Sequence, residues 1–465
     1  MNMETRLKLP SGSGDVAMDL NADDMYRKIT IRIIPFLLVC YVISFLDRIN
    51  ISFAILSMKT ELGFTQTVYG LAAGAYAIGY IIFEVPSNLI LERIGARKTF
   101  LRIMVLWGVA SASLMFVRHP LEFYVIRFIL GCFEAGFFPG VLLYLTYWYP
   151  PGRRAGIVSW FFAGVAIAGL AGGLLSGFIM QNLQGVWGLA GWQWMFACEG
   201  LPASILGIVA YFYLGDSPRQ VSWLSESEKK RIAEDLNEGE VTKKADLTKK
   251  QSLLSVFSDR RVYILSFVYF GVACGTFVIS FWLPTIIKEA GVKSMVEVSL
   301  YSAIPYSIGI VGIIGISRIS DKFMERRWHY CVCSILGAFA ICGMTLKGLS
   351  LPGLLAFATA AVFFGYASLP VFWAAATSYL DKTVAAGGIA LIGSIGMFGG
   401  FVSPAVIGIV KDRTGSLNSG IYLMECIFVA GGLLMLSMPK DQRVVKRPVA
   451  VRTIDLSQAM PGDAE

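Results

Sequence analysis

Ile34-Pro35-Phe36-Leu37-Leu38-Val39-Cys40-Tyr41-Val42-Ile43-Ser44-Phe45-Leu46-Asp47-Arg48-Ile49-Asn50-Ile51-Ser52-Phe53-Ala54-Ile55-Leu56 is apolar almost throughout, yet it carries an acid and a base side by side. About 20 predominantly apolar residues suffice for a helix to cross a bilayer. A central Asp or Arg costs about 2.5–3.5 kcal/mol on insertion scales, so such residues face a cavity and carry a role. Working outward, apolar stretches recur at 68–91, 99–117, 121–149, 157–181 and 195–215, then at 262–287, 297–317, 329–347, 351–380, 387–410 and 419–438. The order is six, a pause and six.

Of the 465 residues, 55% are hydrophobic and 15% charged, against roughly 25% charged in a soluble domain. The mean hydropathy is +0.63. This balance excludes disorder and one large soluble domain, and the unbroken apolar runs exclude barrel strands, which would alternate. The expected fold is an all-α membrane protein of twelve transmembrane helices in two pseudo-symmetric six-helix halves. The expected segments are an N-terminal tail (1–31), a first half (32–215), a linker (216–261), a second half (262–438) and a C-terminal tail (439–465). No apolar core precedes Ile33, so no cleavable signal peptide is expected. In the linker, Ser225 can cap a short helix with Glu228 at its third position. The eight cysteines form no CxxC pair, so neither disulfides nor a zinc site is expected. Cys331 and Cys333 are read as small apolar packing residues.

Lys and Arg set the orientation. Of 40, 31 fall on the tails, the linker and the alternate connections that share their side, seven on the opposite connections, and Arg48 and Arg127 within apolar runs. Both termini are therefore expected in the cytoplasm, and the net charge of +8 belongs to the inner membrane face rather than to nucleic acid.

A repeat supports the split. Leu91-Glu92-Arg93-Ile94-Gly95-Ala96-Arg97-Lys98 follows the second helix, and Ser320-Asp321-Lys322-Phe323-Met324-Glu325-Arg326-Arg327 follows the eighth. Glu92 and Asp321 are 229 apart, while Gly169, Gly172 and Gly173 recur 227 later as Gly396, Gly399 and Gly400. Duplicated halves with a site between them are a common transporter plan. The two basic loops read as gates, with Glu92, Arg93, Arg97, Asp321 and Arg326 as interlock residues; ordinary positive-inside charge is the plainer alternative.

Asp47 and Arg48 stand about 100° apart around a helix, so each needs a partner elsewhere. Tyr41 and Ser44 share a stripe with Arg48. The fourth helix offers Arg127 and Glu134, seven residues apart on one face, beside Gly131, Gly136 and Gly140, which permit close packing. The four charged heads of Asp47, Arg48, Arg127 and Glu134 are expected to converge on one wet chamber midway across the bilayer. A purely structural ion-pair network is the competing reading. Glu84, one turn past Tyr80, is balanced between gate support and function; Glu199 and Glu425 are read as structural, near helix ends or isolated. His119 and His329 are placed in loops. Trp373 is expected in the pocket because Pro370 should break the tenth helix beside it.

Three motifs resemble the major facilitator superfamily, and within it the bacterial anion:cation symporter branch of tartrate, phthalate and sugar-acid carriers. They are Phe45-Leu46-Asp47-Arg48-Ile49-Asn50-Ile51-Ser52-Phe53-Ala54, Phe83-Glu84-Val85-Pro86-Ser87-Asn88-Leu89-Ile90-Leu91-Glu92-Arg93, and Arg127-Phe128 through Glu134-Ala135-Gly136-Phe137-Phe138-Pro139-Gly140. Gly191-Trp192-Gln193-Trp194 agrees with the tartrate type. The resemblance implies import of a small organic anion with protons by alternating access across the bacterial inner membrane. It gives Arg48 the substrate carboxylate, with Tyr41, Ser44, Tyr80 and Trp373 around it. Asp47 and Glu134 would exchange protons, and Arg127 would set their charge. The chain is expected to work as a monomer, with no cofactor or metal. An exchanger or facilitator on the same fold is the alternative. An enzyme would need a catalytic set, and the sequence offers no His-rich metal cluster, phosphate loop or Ser/His/Asp arrangement. The chain departs from the family at Phe45, where many relatives have Tyr, and at Gly393 and Met397, where Asn is usual. Each change removes a hydrogen-bonding group, implying a substrate less hydroxylated than a sugar acid.

Overall fold

The computed structural model describes residues 13–246, 259–323, 325–379 and 385–439. Span 1 is Ser13–Ile49 continued by Ile51–Leu62, span 2 Gln66–Ile94, span 3 Ala96–Ser113, span 4 Pro120–Glu134 continued by Phe137–Thr146, span 5 Pro151–Asn182 and span 6 Gly191–Tyr213. The second group is span 7 Arg260–Glu289, span 8 Met295–Phe323, span 9 Arg327–Gly343, span 10 Leu351–Tyr379, span 11 Ala385–Met397 continued by Gly399–Thr414, and span 12 Asn418–Met435. Among the described residues, eleven of these are long and apolar enough to cross a membrane. Span 9 has 17 residues, roughly 25 Å at 1.5 Å per residue, the short end of the crossing range.

Large apolar side chains crowd the outer surface: Phe212 is 75% exposed, Phe339 70% and Val311 64%. Water would penalise such a belt, whereas hydrocarbon accepts it. Spans 1–6 pack mainly on one another, as do spans 7–12; span 5 meets span 8, span 2 meets span 11, and the second piece of span 1 meets span 7. These seams lie at the end opposite the linker, called here the far end. There Asp412 accepts from the Gln66 and Thr67 amides at 3.2 and 2.6 Å, capping the start of span 2, and the Tyr69 hydroxyl donates to the Phe281 carbonyl at 2.6 Å. A Cβ at Gly70 would lie 2.2 Å from the Pro404 oxygen; the two backbones touch.

Four local expectations are corrected. The polar tail is not separate from span 1, because its helix starts at Ser13 and runs to Ile49. Burial of Met25, Tyr26 and Ile29, with Tyr26 donating to Asp235 at 2.8 Å and Lys28 pairing with Glu228 at 3.1 Å, ties it to the linker helix Glu226–Asp246. Pro370 does not break span 10, which continues through it. His329 lies in the first turn of span 9, its Nδ1 against the Glu325 carbonyl. Glu199 sits well inside span 6 rather than at its end, whereas Glu425 is buried in span 12 and isolated among the described residues. The linker cap forms: the Ser225 amide donates to Glu228 at 2.7 Å and the Glu228 amide to the Ser225 hydroxyl at 3.2 Å.

Candidate functional site

Two interruptions shape the site. Span 1 is interrupted at Asn50, just beyond Asp47 and Arg48. Span 4 breaks after Glu134, where Gly136 has φ 84°, a conformation that glycine alone adopts cheaply. Spans 2 and 4 meet backbone to backbone; a Cβ at Gly131 would fall 2.1 Å from the Tyr76 oxygen. That contact carries the Tyr76–Tyr80 stripe over the charged residues.

Arg48 donates from Nη2 to Glu134 Oε1 at 2.8 Å, and the Ser44 hydroxyl donates to the same oxygen at 2.7 Å. The guanidinium lies 5.3 Å from the ring centres of Tyr76 and Tyr80 and 4.9 Å from Phe45. Glu134 is fully buried, while the Arg48 side chain keeps 11% exposure. Glu134 Oε2 and Arg48 Nε have no hydrogen-bond partner among the described residues, so the pair is made through one carboxylate oxygen. Tyr41 packs on Phe138 and Phe161 at 5.0 and 5.6 Å. Facing this wall, Tyr269 of span 7 comes within electrostatic range of Tyr41, Arg48 and Glu84. Its ring packs on Trp373 at 5.0 Å and stacks on Phe372 at 5.1 Å. Trp373 is therefore brought toward Arg48 by packing on Tyr269 rather than by a helix break. A Cβ at Gly393 would meet nothing within 4 Å, so that position opens on free space.

Asp47 points elsewhere. It accepts from Trp107 Nε1 and the Ser111 hydroxyl, both at 2.8 Å, and from the Asn50 amide at 3.5 Å. It is fully buried between spans 1 and 3. The expected single chamber of four charged heads is thus two compartments back to back: Arg48 with Glu134, and Asp47 behind the helix. The 100° between neighbouring side chains is the reason. Arg127 bridges them electrostatically. It is fully buried, lies 5.0 Å from the Tyr76 ring centre and feels both Glu134 and Asp47. Its nitrogens have no hydrogen-bond partner among the described residues. A buried guanidinium of this kind persists through opposite charge and ring attraction, the latter worth about 2 kcal/mol when desolvated.

Of the expected gate residues, Arg97, Asp321 and Arg326 make their recorded contacts on their own side of the two-half division. Arg97 Nε donates to the Tyr211 carbonyl at 2.7 Å and its amide to Asp216 at 2.9 Å. Arg326 meets Asp321 at 3.4 Å and the Ala374 carbonyl at 3.0 Å. Arg93 is exposed in the last turn of span 2; the Glu92 side chain lies outside the described residues. Tyr76, Trp107 and Tyr269 were not singled out from sequence. Tyr76 had a signal, since it precedes Tyr80 and Glu84 at spacings of four, whereas Trp107 and Tyr269 stand in apolar runs like any packing aromatic.

Two six-span groups of apolar helices, the first holding the buried Arg48–Glu134 pair, make a multi-pass membrane protein; its family and relatives make it a transporter of small molecules rather than an enzyme. The family model of the Major Facilitator Superfamily matches residues 37–404, and the chain belongs to that family. A protein of Agrobacterium vitis named as a tartrate transporter is 40% identical, over 96% of each chain. A Pseudomonas putida protein named as the metabolite transport protein NicT is 40% identical over 91% of this chain and 96% of its own. The partially occluded inward-open xylose transporter XylE of E. coli shares the fold with a TM-score of 0.70 at 17% identity, covering 89% of this chain and 98% of that one.

Proposed function

We propose that the protein imports a small carboxylate together with protons, by alternating access across the bacterial inner membrane, with both termini in the cytoplasm. The observation that carries this reading is the Arg48–Glu134 pair at 2.8 Å, made through one carboxylate oxygen with Arg48 Nε still unpartnered. A substrate carboxylate competes with Glu134 for the same guanidinium. When Glu134 takes a proton, Arg48 is released to bind the substrate through charge-assisted bonds, which are the stronger kind. Burial disfavours a carboxylate and a nearby Arg favours it, so occupancy of Arg48 and protonation of Glu134 are linked. Arg127 holds positive potential at both compartments, and Tyr41, Ser44, Tyr80 and Trp373 complete the pocket.

The two six-span groups act as the moving bodies. With the far end closed, the pocket is served from the linker end. The basic loops carrying Glu92, Arg93, Arg97, Asp321 and Arg326 act as gates, engaging across the halves in the opposite conformation. The names of the relatives support an organic anion, and tartrate has fewer hydroxyls than a sugar acid, in keeping with Phe45, Gly393 and Met397. The protein works as a monomer.

The test is a thermal-shift screen of purified protein against tartrate, phthalate, benzoate and galactonate at two pH values. Stabilisation that strengthens as pH falls, and that favours the less hydroxylated acids, supports the reading. Indifference to pH points to exchange or facilitated diffusion; a preference for galactonate overturns the substrate class.

A further inference from the structure

Behind span 1 lies a second polar compartment that the Arg48–Glu134 exchange does not use. Glu199 of span 6 is 2% exposed. Its Oε1 accepts from the Ser176 hydroxyl of span 5 at 2.7 Å, and its Oε2 has no partner among the described residues. Asn50 is 1% exposed and stands between two acids. Its amide nitrogen reaches Asp47 at 3.5 Å, its side chain is close enough to interact with Glu199, and its Oδ1 is likewise unpartnered. Buried acceptors left alone are costly, and two buried carboxyls that interact repel unless one of them holds a proton. The Asn50 amide nitrogen is a donor to Asp47 and, by its interaction, to Glu199, so two N–H groups stand between two buried carboxyls.

The duplication supplies an internal comparison. Glu425 follows Glu199 by 226 residues in the sixth span of the second half, Ser403 follows Ser176 by 227 in the fifth, and Cys274 follows Asp47 by 227 in the first. These offsets match the 227 and 229 of the repeated motifs. Ser403 donates to the Cys274 carbonyl at 2.9 Å, and Glu425 is buried with both oxygens unpartnered among the described residues. Both halves thus keep the glutamate of the sixth span, and where the first half has Asp47 the second has Cys274.

We propose that Asp47 and Glu199, joined by the Asn50 amide, form a site for a single shared proton, separate from the substrate cavity. Like charges that interact in a dry interior do not both ionise, and the amide donates to whichever acid is left as the anion. The groups facing the site are Arg127 and Glu134, both sensed by Asp47, and the Cys198 thiol beside Glu199. Glu199 lies eight residues from the start of span 6 and Asp47 fifteen from the end of span 1. Glu199 is therefore about two turns nearer the far end, on the side from which imported protons arrive. The proposal rests on the proton-coupled reading above for its purpose, though not for its test.

Infrared spectroscopy of the purified, lipid-reconstituted protein, without substrate, reads protonated carboxyl groups directly. At neutral pH, Glu199→Gln is expected to abolish one carboxylic-acid band and Glu425→Gln a second. Asn50→Leu is expected to shift the Glu199 band and leave the Glu425 band in place. Asp47→Asn is expected to shift the Glu199 band as well, because the bridge loses its ionised end. An unchanged spectrum in Glu199→Gln would overturn the proposal, as would a Glu199 band indifferent to both Asn50→Leu and Asp47→Asn. If the bands behave as expected but acid-driven accumulation of the screened carboxylate is absent, the proton site stands and the symport reading fails.

Discussion

Consider replacing Glu134 by Gln. The Gln oxygen can still accept from Ser44, which donates at 2.7 Å in the native protein, so the side chain keeps its place. What disappears is the anion that competes for Arg48 at 2.8 Å. A hydrogen bond to a charged group is worth about 1.5–3 kcal/mol net, which corresponds to roughly ten- to 150-fold in affinity. Above neutral pH the native protein must break that bond to admit a substrate carboxylate; the variant need not. Titration calorimetry with phthalate and tartrate should therefore show the variant binding about ten- to 150-fold more tightly at alkaline pH, with affinity nearly level across pH. In proteoliposomes the variant should retain counterflow and lose accumulation driven by a pH gradient. Weaker binding at every pH, with the native pH slope intact, would refute the competition argument and leave Glu134 a structural partner of Arg48.

Other perturbations follow from single contacts. Trp107→Phe removes one of the two 2.8 Å donors to Asp47 and should cost about 1.5–3 kcal/mol, read as a lower Tm, with less effect on carboxylate affinity than Arg48→Ala. Gly70→Val forces a side chain against the Pro404 carbonyl; overpacking costs typically 1–3 kcal/mol, so the population should move about five- to 150-fold towards a far-open state, seen as a longer distance between spin labels on Lys59 and Arg413. At the linker, burial pushes the Glu228 carboxyl up, but bonds from the Ser225 backbone and Lys28 outweigh it and hold the group below its usual range. A lowered folded value stabilises above the unfolded pKa, about 4.3, and is lost as pH falls through the folded one. The clasp between the N-terminal helix and the linker should therefore loosen below about pH 4, measured by spin labels on Ile31 and Lys230 in a Cys426→Ser background, because Cys426 is the exposed thiol.

The twelve spans were legible because hydrocarbon demands unbroken apolar length, which no local packing detail can disguise. The separate partners of Asp47 and Arg48 were legible too, since helical geometry alone puts adjacent side chains on different faces. What failed were features set by neighbours. Pro370 looked like a break, yet span 10 carries it without interruption. The polar N-terminal tail looked detached, yet Met25, Tyr26 and Ile29 are buried, and Tyr26 bonds to Asp235 of the linker helix and stacks on Tyr149. Glu199 looked structural because its partners, Ser176 and Asn50, belong to other spans, and no spacing within one helix announces such a meeting. Tyr76 was one more step along a stripe already half read.

The most direct measurement records substrate and proton entry together in proteoliposomes, using a labelled acid chosen by the thermal-shift screen. Internal pH should fall in fixed proportion to the acid taken up in the native protein, and that proportion should vanish in Glu134→Gln. Uptake with no accompanying acidification, or the same ratio in both proteins, would contradict carboxylate–proton exchange at Arg48 and Glu134.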